Sequence, residues 1–359
     1  MFLLVFKCVL FVLYSGVLGE APKFTLTSNY NMEEIPPSGE DPLLISASIN
    51  LRNILQVSET NQQISLETTL RFYWRDTRIT PTQSHMDGHD SLGAYVNLHP
   101  QDASMFWMPD TFIDQAINIR KPAYYTETAS LRLYNDSMIR YSKRMNFDVA
   151  CPMDFHKFPL DQQVCQVKFE SFSLSTDQIQ FKWMAESKNL SQYNEEITLS
   201  QFLYAVELID NKETSIYDIS YPRLIMQITL DRILGYHLLQ TYMPSGIFVI
   251  LAWLSFFLPP SSVPGRVAMG MITILTLTVM WGSCRENVPK VSYLTYVDIW
   301  VVMCLVFVNF CMFEFVAVAL LNQLGKERTS VKMEKMCRIV FPVIFVMLTI
   351  LYWIIIFTV

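Results

Sequence analysis

Arginine, serine, glutamate and phenylalanine side chains occupy the polar positions of an alternating pattern in the N-terminal part of the chain. Where apolar and polar residues alternate with a period of two, the polar set faces away from the core; this set includes Arg71, Arg140, Ser142 and Arg144. After Cys165 the same alternation turns Glu170 and Phe172 outward. A guanidinium binds carboxylates through a planar fork, and an aromatic face attracts an ammonium group. These residue types suit a small zwitterion, although an exposed aromatic side chain on a solvated face is the alternative interpretation of Phe172.

The elements that would hold these side chains are short β-strands. In residues 64–75, for example, Ile64, Leu66 and Trp74 alternate with Glu67 and Arg71. Antiparallel sheets with one face in a core give this pattern, and many short strands without amphipathic helices indicate a sandwich. We therefore predict an all-β, immunoglobulin-like sandwich over residues 20–234.

The start of the chain and its cysteines predict where this sandwich lies. Residues 1–19 form an apolar run with one lysine, which is typical of a secretory signal peptide. Cys151 and Cys165 are the only cysteines between this segment and the apolar C-terminal part, so in an oxidising compartment they are a candidate disulfide. Glycosylation sequons at Asn135 and Asn189 fit an extracellular location. A net charge of −6 without a basic stripe argues against a nucleic-acid partner.

Four apolar segments in the C-terminal part can each cross a membrane as a helix. They cover residues 236–258, 267–284, 299–321 and 339–359, and they predict a four-helix transmembrane bundle over residues 235–359. With the N-terminus outside, the link 323–338 is cytoplasmic, and its excess of basic residues fits the positive-inside rule. This link leaves no room for an intracellular catalytic domain. Because the sequence also lacks a Ser-His-Asp, metal-helix or phosphate-loop motif, it predicts neither an enzyme nor a cofactor.

Several motifs resemble those of one receptor family. The segment from Cys151 to Cys165 has thirteen residues between the cysteines and a Phe-Pro-x-Asp motif, like the signature loop of Cys-loop receptors. Other segments similar to the family, and in the last two cases to its glycine and γ-aminobutyric acid branch, are Trp74-Arg75-Asp76-Thr77-Arg78, Trp107-Met108-Pro109-Asp110, Pro264-Gly265-Arg266-Val267 and Pro289-Lys290-Val291-Ser292-Tyr293. The resemblance implies a homo- or hetero-pentamer in the plasma membrane, with a postsynaptic location as one expectation.

The resemblance also implies a ligand site between neighbouring extracellular domains. The principal face would contain Phe112, Asp114, Glu170, Phe172, Tyr217 and Tyr221, and the complementary face Thr69, Arg71, Arg140 and Ser142. The chain departs from cation receptors of the family, because Phe172 stands where they often carry Trp and the adjacent cysteines of acetylcholine-binding subunits are absent before Tyr221. We therefore favour an amino-acid agonist such as γ-aminobutyric acid, glycine or glutamate over acetylcholine. A larger amphiphile is the alternative ligand.

The second apolar helix would line the pore. By the family register, one stripe of this helix contains Ala268, Ile272, Leu275, Val279 and Gly282. Five copies of Leu275 would form an apolar constriction that closes by dewetting. In the alternative arrangement this stripe packs against other helices, and Thr273, Thr276 and Thr278 face the water.

Charge selectivity is expected at the cytoplasmic mouth. Pro264, Gly265 and Arg266 resemble the Pro-Ala-Arg sequence of chloride channels, so a ring of five arginines predicts a pore for anions such as chloride. Glu286 adds negative charge at the outer mouth. The apolar stripe keeps a non-conducting or heteromer-only structural subunit open as a second hypothesis, and a cation-selective channel is another. A membrane-anchored ectoenzyme is a weaker one.

Coupling between the two layers would use a charge cluster. The resemblance places Glu59, Asp161 and Arg232 against Pro289, Lys290 and Tyr293. A partly buried charge pair suits a switch, since removing one partner leaves the other uncompensated at a cost of ~3–5 kcal/mol. Surface charges at a domain junction are the alternative.

One further group combines the histidines 85, 89 and 99 with two nearby aspartates; we favour a solvated loop there over a metal site.

Overall fold

The N-terminal part of the chain consists of strands and the C-terminal part of four long helices. The computed structural model describes residues 22–82, 86–120, 128–185, 197–216, 219–259, 262–286 and 290–358. The expected signal peptide, residues 1–19, lies outside the described residues, as do Asn189, Tyr217 and Pro289.

Fourteen strands are found in the described part of the chain. They are β1 (Phe24–Leu26), β2 (Leu43–Ser58), β3 (Gln63–Arg75), β4 (Ile79–Pro81), β5 (Gly88–Asp90), β6 (Gly93–Leu98), β7 (Thr111–Asp114), β8 (Ala116–Arg120), β9 (Ala129–Tyr134), β10 (Met138–Ala150), β11 (Gln162–Ser171), β12 (Ile179–Trp183), β13 (Phe202–Ile216) and β14 (Ile219–Arg232). A short 3-10 helix, Pro100–Met105, follows β6.

The strands form two large sheets. The eight-stranded sheet has the order β12-β2-β3-β10-β9-β6-β5, with β8 also paired to β10, and the four-stranded sheet has the order β13-β14-β11-β7. β1 and β4 form a separate pair. The inward sides of both large sheets meet in one apolar core, which contains Leu66 and Trp74 from the first sheet and Val167 and Phe169 from the second. The predicted sandwich and its alternation are therefore confirmed.

The four long helices are α1 (Gly235–Phe257), α2 (Val263–Glu286), α3 (Tyr296–Gln323) and α4 (Glu327–Thr358), each long and apolar enough to cross a membrane. The last two meet more closely than the sequence suggested. Gly325, with a φ of 72°, ends α3, and α4 begins at Glu327. The basic residues of the predicted link 323–338 therefore lie mainly on the first turns of α4, and only residues 324–326 separate the two helices.

Polar contacts between aromatic and hydroxyl groups join α1, α3 and α4. The hydroxyls of Tyr242 and Tyr352 are 2.8 Å apart, and the indole of Trp300 donates to Ser245 Oγ at 2.7 Å. Helix α2 packs closely on α3, because a Cβ added at Gly270 would collide with the Met312 side chain. One face of α2 is thus covered within the protomer.

The outer end of α2 is tied to the start of α3 by one carboxylate. Asp298 accepts a hydrogen bond from the Trp281 indole N–H at 2.8 Å. It also accepts two hydrogen bonds from the Arg285 guanidinium, from Nε at 2.9 Å and from Nη2 at 2.8 Å. The same carboxylate completes a capping box with Thr295 at the first turn of α3.

Candidate functional site

Two exposed phenylalanine rings are in contact on the surface of the four-stranded sheet. Phe112 lies in β7 and Phe172 directly follows β11, and their ring centroids are 5.9 Å apart in an edge-to-face arrangement. Phe172 is 76% exposed, which makes it the most exposed large apolar side chain in the described sandwich. Aromatic rings this open to solvent offer their faces to a ligand cation.

Asp110 fixes the segment that presents Phe172. Its carboxylate accepts hydrogen bonds from the Ser171 hydroxyl at 2.7 Å and from the Ser173 amide and hydroxyl at 2.6 and 2.7 Å. The backbone on both sides of Phe172 is therefore held by one side chain. This gives a structural role to the last residue of the Trp-x-Pro-Asp segment noted in the sequence.

Glu170 is not open to a ligand ammonium in the way that its outward position suggested. It is only 6% exposed, and its carboxylate forms an ion pair with Arg223, which faces it directly across the β11–β14 pair. The expectation of an available carboxylate is corrected for this reason. Asp114 is half-buried, with its carboxylate 4.0 Å from Lys168 Nζ. Tyr221 lies half-buried in β14.

The outward side of the eight-stranded sheet carries a group of arginines, here called the arginine surface: Arg52, Arg71, Arg132 and Arg140. Three of the four have protein partners: Arg52 donates to Thr69 Oγ1 at 2.7 Å, while Arg132 and Arg140 lie 3.1 and 3.6 Å from the Asp90 carboxylate. Arg71 has no hydrogen bond or ion pair within the residues that the structure describes. Burial and repulsion from the other three guanidiniums lower the pKa of Arg71. A ligand carboxylate would supply the negative charge that this surface lacks.

Thr69 and Ser142 are buried below this surface instead of facing the solvent. Directly opposite residues in neighbouring strands lie on the same side of a sheet. Thr69 pairs with Arg144 and Ser142 pairs with Arg71, so that each short hydroxyl side chain lies beside a longer guanidinium-bearing one. The expectation that these two hydroxyls are open to the ligand is corrected accordingly.

The predicted charge cluster is present at the base of the sandwich. Arg232, at the end of β14, lies 2.6 Å from Asp161 and 2.5 Å from Glu59, and its guanidinium lies 4.7 Å from the ring centroids of both Phe158 and Phe202. Burial raises the pKa of Glu59 despite the attraction of Arg232, whereas the two carboxylates raise the pKa of Arg232 despite its own burial. A cavity of about 370 Å³ adjoins the cluster and is also lined by His237 of α1 and Cys284 of α2.

The loop closed by the Cys151–Cys165 disulfide contacts the connection between α2 and α3. The predicted disulfide is confirmed. The Phe155 amide donates to the Tyr293 hydroxyl at 3.1 Å, and the His156 ring stacks on the Tyr293 ring with centroids 3.7 Å apart. These contacts to Tyr293 are aromatic and backbone contacts, and they come from the loop and not from the Glu59–Asp161–Arg232 cluster. Lys290 is exposed nearby.

The predicted pore stripe occupies the uncovered face of α2. Ala268, Ile272, Leu275, Val279 and Gly282 are all exposed in the single chain, as is Pro264, while Gly265 is half-buried. The alternative threonines bond to their own helix: Thr273 is buried, and the hydroxyls of Thr276 and Thr278 donate to backbone carbonyls one turn earlier.

Arg266 does not lie on this stripe, and its side chain is not exposed at the inner end of α2 in the single chain. The side chain is on the opposite, covered face of α2 with Gly270 and Leu277, and it is 2% exposed. Its guanidinium donates to the Leu258 carbonyl and pairs with Glu334 of α4. The Leu258 carbonyl and Glu334 therefore determine the direction of the Arg266 side chain.

Comparison with protein families identifies the class of protein that this fold and these surfaces represent. Residues 23–234 match the neurotransmitter-gated ion-channel ligand binding domain, and residues 241–335 match the neurotransmitter-gated ion-channel transmembrane region. The chain therefore belongs to the neurotransmitter-gated ion channels, as a Cys-loop receptor subunit. The family implies a pentamer, a small-molecule transmitter and no enzymatic activity. With four apolar helices, it fits a multi-pass membrane protein whose N-terminal domain is extracellular.

Sequence reasoning missed three residues that shape the candidate site. Arg223 neutralises Glu170, Asp90 anchors two members of the arginine surface, and Glu334 holds Arg266. An outward arginine in the last strand was the only available signal for Arg223, because its pairing depends on the register between β11 and β14. Glu334 was hidden because its segment was expected to be a surface link.

Proposed function

We propose that this chain forms a pentameric channel in the plasma membrane that a small zwitterionic amino acid opens and through which chloride flows. The agonist would bind between two copies, with its ammonium against Phe112 and Phe172 of one copy and its carboxylate against Arg71 of the next. The observation that carries the proposal is this division of chemistry between the two sheets. One sheet presents an open aromatic pair, and the other presents a guanidinium without a partner among the described residues.

The ligand assignment rests on the charges that each side leaves unsatisfied. Arg71 lies within a group of like charges whose ion-pair partner among the described residues is Asp90, so a bound carboxylate relieves repulsion as well as forming hydrogen bonds. On the other side Glu170 is already paired with Arg223. The aromatic faces are then the main attraction for the ammonium, worth ~0.5–2 kcal/mol each.

The pore assignment rests on the uncovered face of α2. A helix with one face packed on α3 and the other exposed has either lipid, water or neighbouring copies against that second face. Five copies of α2 around an axis would bring together Ile272, Leu275 and Val279 as an apolar constriction, which blocks ions by dewetting until the helices separate. The Glu59–Asp161–Arg232 cluster and the stacked His156–Tyr293 pair would connect agonist binding to this helix.

Anion selectivity is supported by the charge pattern of α2 even though Arg266 faces away. The helix begins at the inner mouth, where five positive helix termini would converge, and its single carboxylate, Glu286, lies at the opposite end. The neutralisation of Arg266 by Glu334 favours a second candidate, a cation-selective channel. The apolar character of the exposed stripe favours a third, a subunit that conducts only in heteromers.

The test is a recording of agonist-evoked currents from cells that express this chain alone. We would apply γ-aminobutyric acid, glycine, glutamate and acetylcholine in turn, and then measure the reversal potential while external chloride and sodium are replaced separately. Reversal that follows chloride is the expected result. Reversal that follows sodium would show a cation channel, and surface-expressed protein without any current would favour the heteromer-only subunit.

A further inference from the structure

Four charged side chains meet at the inner ends of the transmembrane helices, and they are here called the inner charge cluster: Arg266 of α2, Glu314 of α3, and Glu334 and Arg338 of α4. Arg266, Glu314 and Glu334 are all buried. Charges buried at a membrane helix boundary are costly and are retained where they have a role. The sequence analysis assigned a role only to Arg266 of these four residues, at the cytoplasmic mouth of the pore.

Within the cluster Glu334 is the carboxylate that holds Arg266. The Arg266 guanidinium pairs with Glu334 Oε1, and its Nε donates to the Leu258 carbonyl at the end of α1 at 3.0 Å. Arg338 lies 3.6 Å from the same carboxylate oxygen and donates from Nε to the Phe256 carbonyl at 2.9 Å. All of these acceptors lie behind α2 as seen from its exposed stripe, so they draw the guanidinium away from that stripe.

Glu314 is buried in the same cluster, but unlike Glu334 it does not form an ion pair with Arg266. Neither of its carboxylate oxygens has a hydrogen-bond partner among the described residues, and the same holds for Nη1 of Arg266. Glu314 therefore interacts with Arg266 electrostatically without holding its position. The chain thus contains two buried glutamates beside one arginine, of which one forms the contact and the other does not.

We propose that Glu334 is a positioning residue for Arg266 and that it determines the charge selectivity of the pore. By binding the guanidinium behind α2, Glu334 both fixes its direction and cancels its charge at the inner mouth. The inference rests on the proposed function, since it assumes that five α2 helices surround the conducting path. A residue on α4 would then control selectivity without lining the pore.

The loss of Glu334 has a defined electrostatic consequence. In E334Q the Leu258 carbonyl still binds the guanidinium, but the positive charge is no longer cancelled by its ion-pair partner. Five such charges, each ~10 Å or one helix diameter from the pore face, make the potential of the inner mouth more positive and concentrate anions there. In R266Q the opposite holds, because the Glu334 carboxylate then acts on the mouth from behind α2.

The experiment is a double-mutant cycle read as the chloride-to-sodium permeability ratio. Wild type, R266Q, E334Q and R266Q/E334Q are opened with whichever of γ-aminobutyric acid, glycine or glutamate is active, and reversal potentials are measured in dilution gradients. We expect the ratio to rise about threefold or more in E334Q, to fall by a similar factor in R266Q, and to return toward the wild-type value in the double variant. E314Q removes a buried carboxylate that does not bind the guanidinium, so it should raise the ratio less than E334Q does.

Two results would overturn the inference. If R266Q/E334Q is as shifted as R266Q alone, Arg266 acts on ions directly and Glu334 does not position it. If E314Q raises the ratio as much as E334Q, the effect follows total buried charge and not the Arg266 contact. The conservative E334D, which keeps the charge, should keep the wild-type ratio, whereas a purely steric role of Glu334 would leave the isosteric E334Q at the wild-type ratio and shift the shorter E334D.

The cycle remains informative if E334Q does not reach the surface, because leaving Arg266 unpaired is destabilising. R266Q/E334Q removes both charges, so its ratio can be compared with that of R266Q alone. A wild type that reverses with sodium would refute the proposed chloride channel, but the direction of the shifts within the cycle would still test the role of Glu334. The two failures are therefore distinguishable.

Discussion

At the residue scale, Arg71 differs from the other members of the arginine surface because no described residue forms a hydrogen bond or ion pair with it. If a ligand carboxylate completes this site, the planar fork matters more than the charge alone. We expect Arg71→Lys to raise the half-maximal agonist concentration by about tenfold or more, since lysine cannot form the two parallel hydrogen bonds. Dose–response curves at matched surface expression would measure this.

The control for Arg71 is Arg75 in the same strand. Its side chain is 62% exposed and pairs with Asp136 on the surface, an interaction that contributes little. Arg75→Lys should leave agonist potency unchanged. Equal potency in the Arg71 and Arg75 variants would remove Arg71 from the binding site.

On the other side of the proposed site, Phe172 is an aromatic side chain that is largely exposed to solvent. Its removal in Phe172→Ala should reduce potency by about 2- to 30-fold, the range of one cation–π contact, while Phe172→Trp should keep or increase it. Leu203, which is also exposed on the four-stranded sheet, is the matched control, and Leu203→Ala should have no effect. A loss of potency in both alanine variants would indicate a general surface effect and not a cation site.

At the scale of the elements, the Glu59–Arg232 contact joins the turn after β2 to the end of β14 and has a pH signature. Burial raises the pKa of Glu59 above its ordinary value, so the folded chain binds this proton more tightly than the unfolded chain. The contribution of Glu59 to the free energy of unfolding is therefore largest below its ordinary pKa and is lost as the pH rises through its folded value. Compared with E59Q, wild-type protein should gain thermal stability as the pH falls from 7 toward 5.

Purified protein in detergent, melted over this pH range, gives the measurement. Because glutamine does not titrate, subtracting the E59Q melting temperatures removes the contributions of other groups. A difference between wild type and E59Q that stays constant from pH 7 to 5, or that shrinks on acidification, would contradict the predicted direction.

Strand and helix positions in this chain were largely readable from the sequence, but pairing partners were not. Alternation alone placed Leu66 and Trp74 in the core and Arg71 on the surface, because a strand has a fixed period. The neutralisation of Glu170 by Arg223 depends on the register of two strands more than fifty residues apart, which no local pattern specifies. The direction of Arg266 was also readable: this residue precedes Leu275 by nine residues, or two and a half helical turns, and so lies on the opposite face of α2.

At the scale of the whole molecule, assembly must cover or hydrate the exposed stripe of α2. Leu275 is 64% exposed in the single chain. If five copies meet around a pore, Leu275→Ser should wet the constriction and produce a current without agonist. Met347 of α4 is exposed to a similar extent, at 65%, and Met347→Ser should not produce one. An agonist-independent current in the Met347 variant alone would show that α4 lines the pore and that the assignment to α2 is wrong.

The shared carboxylate of Asp298 limits how such a pore can open. Since it binds Trp281 and Arg285 of α2 while also capping α3, the outer end of α2 cannot be displaced without taking the first turn of α3 with it. Tyr293, which receives the contacts from the extracellular loop, lies between these two anchored ends. We therefore expect each subunit to open by moving the outer ends of α2 and α3 together, and not by unwinding or rotating α2 alone.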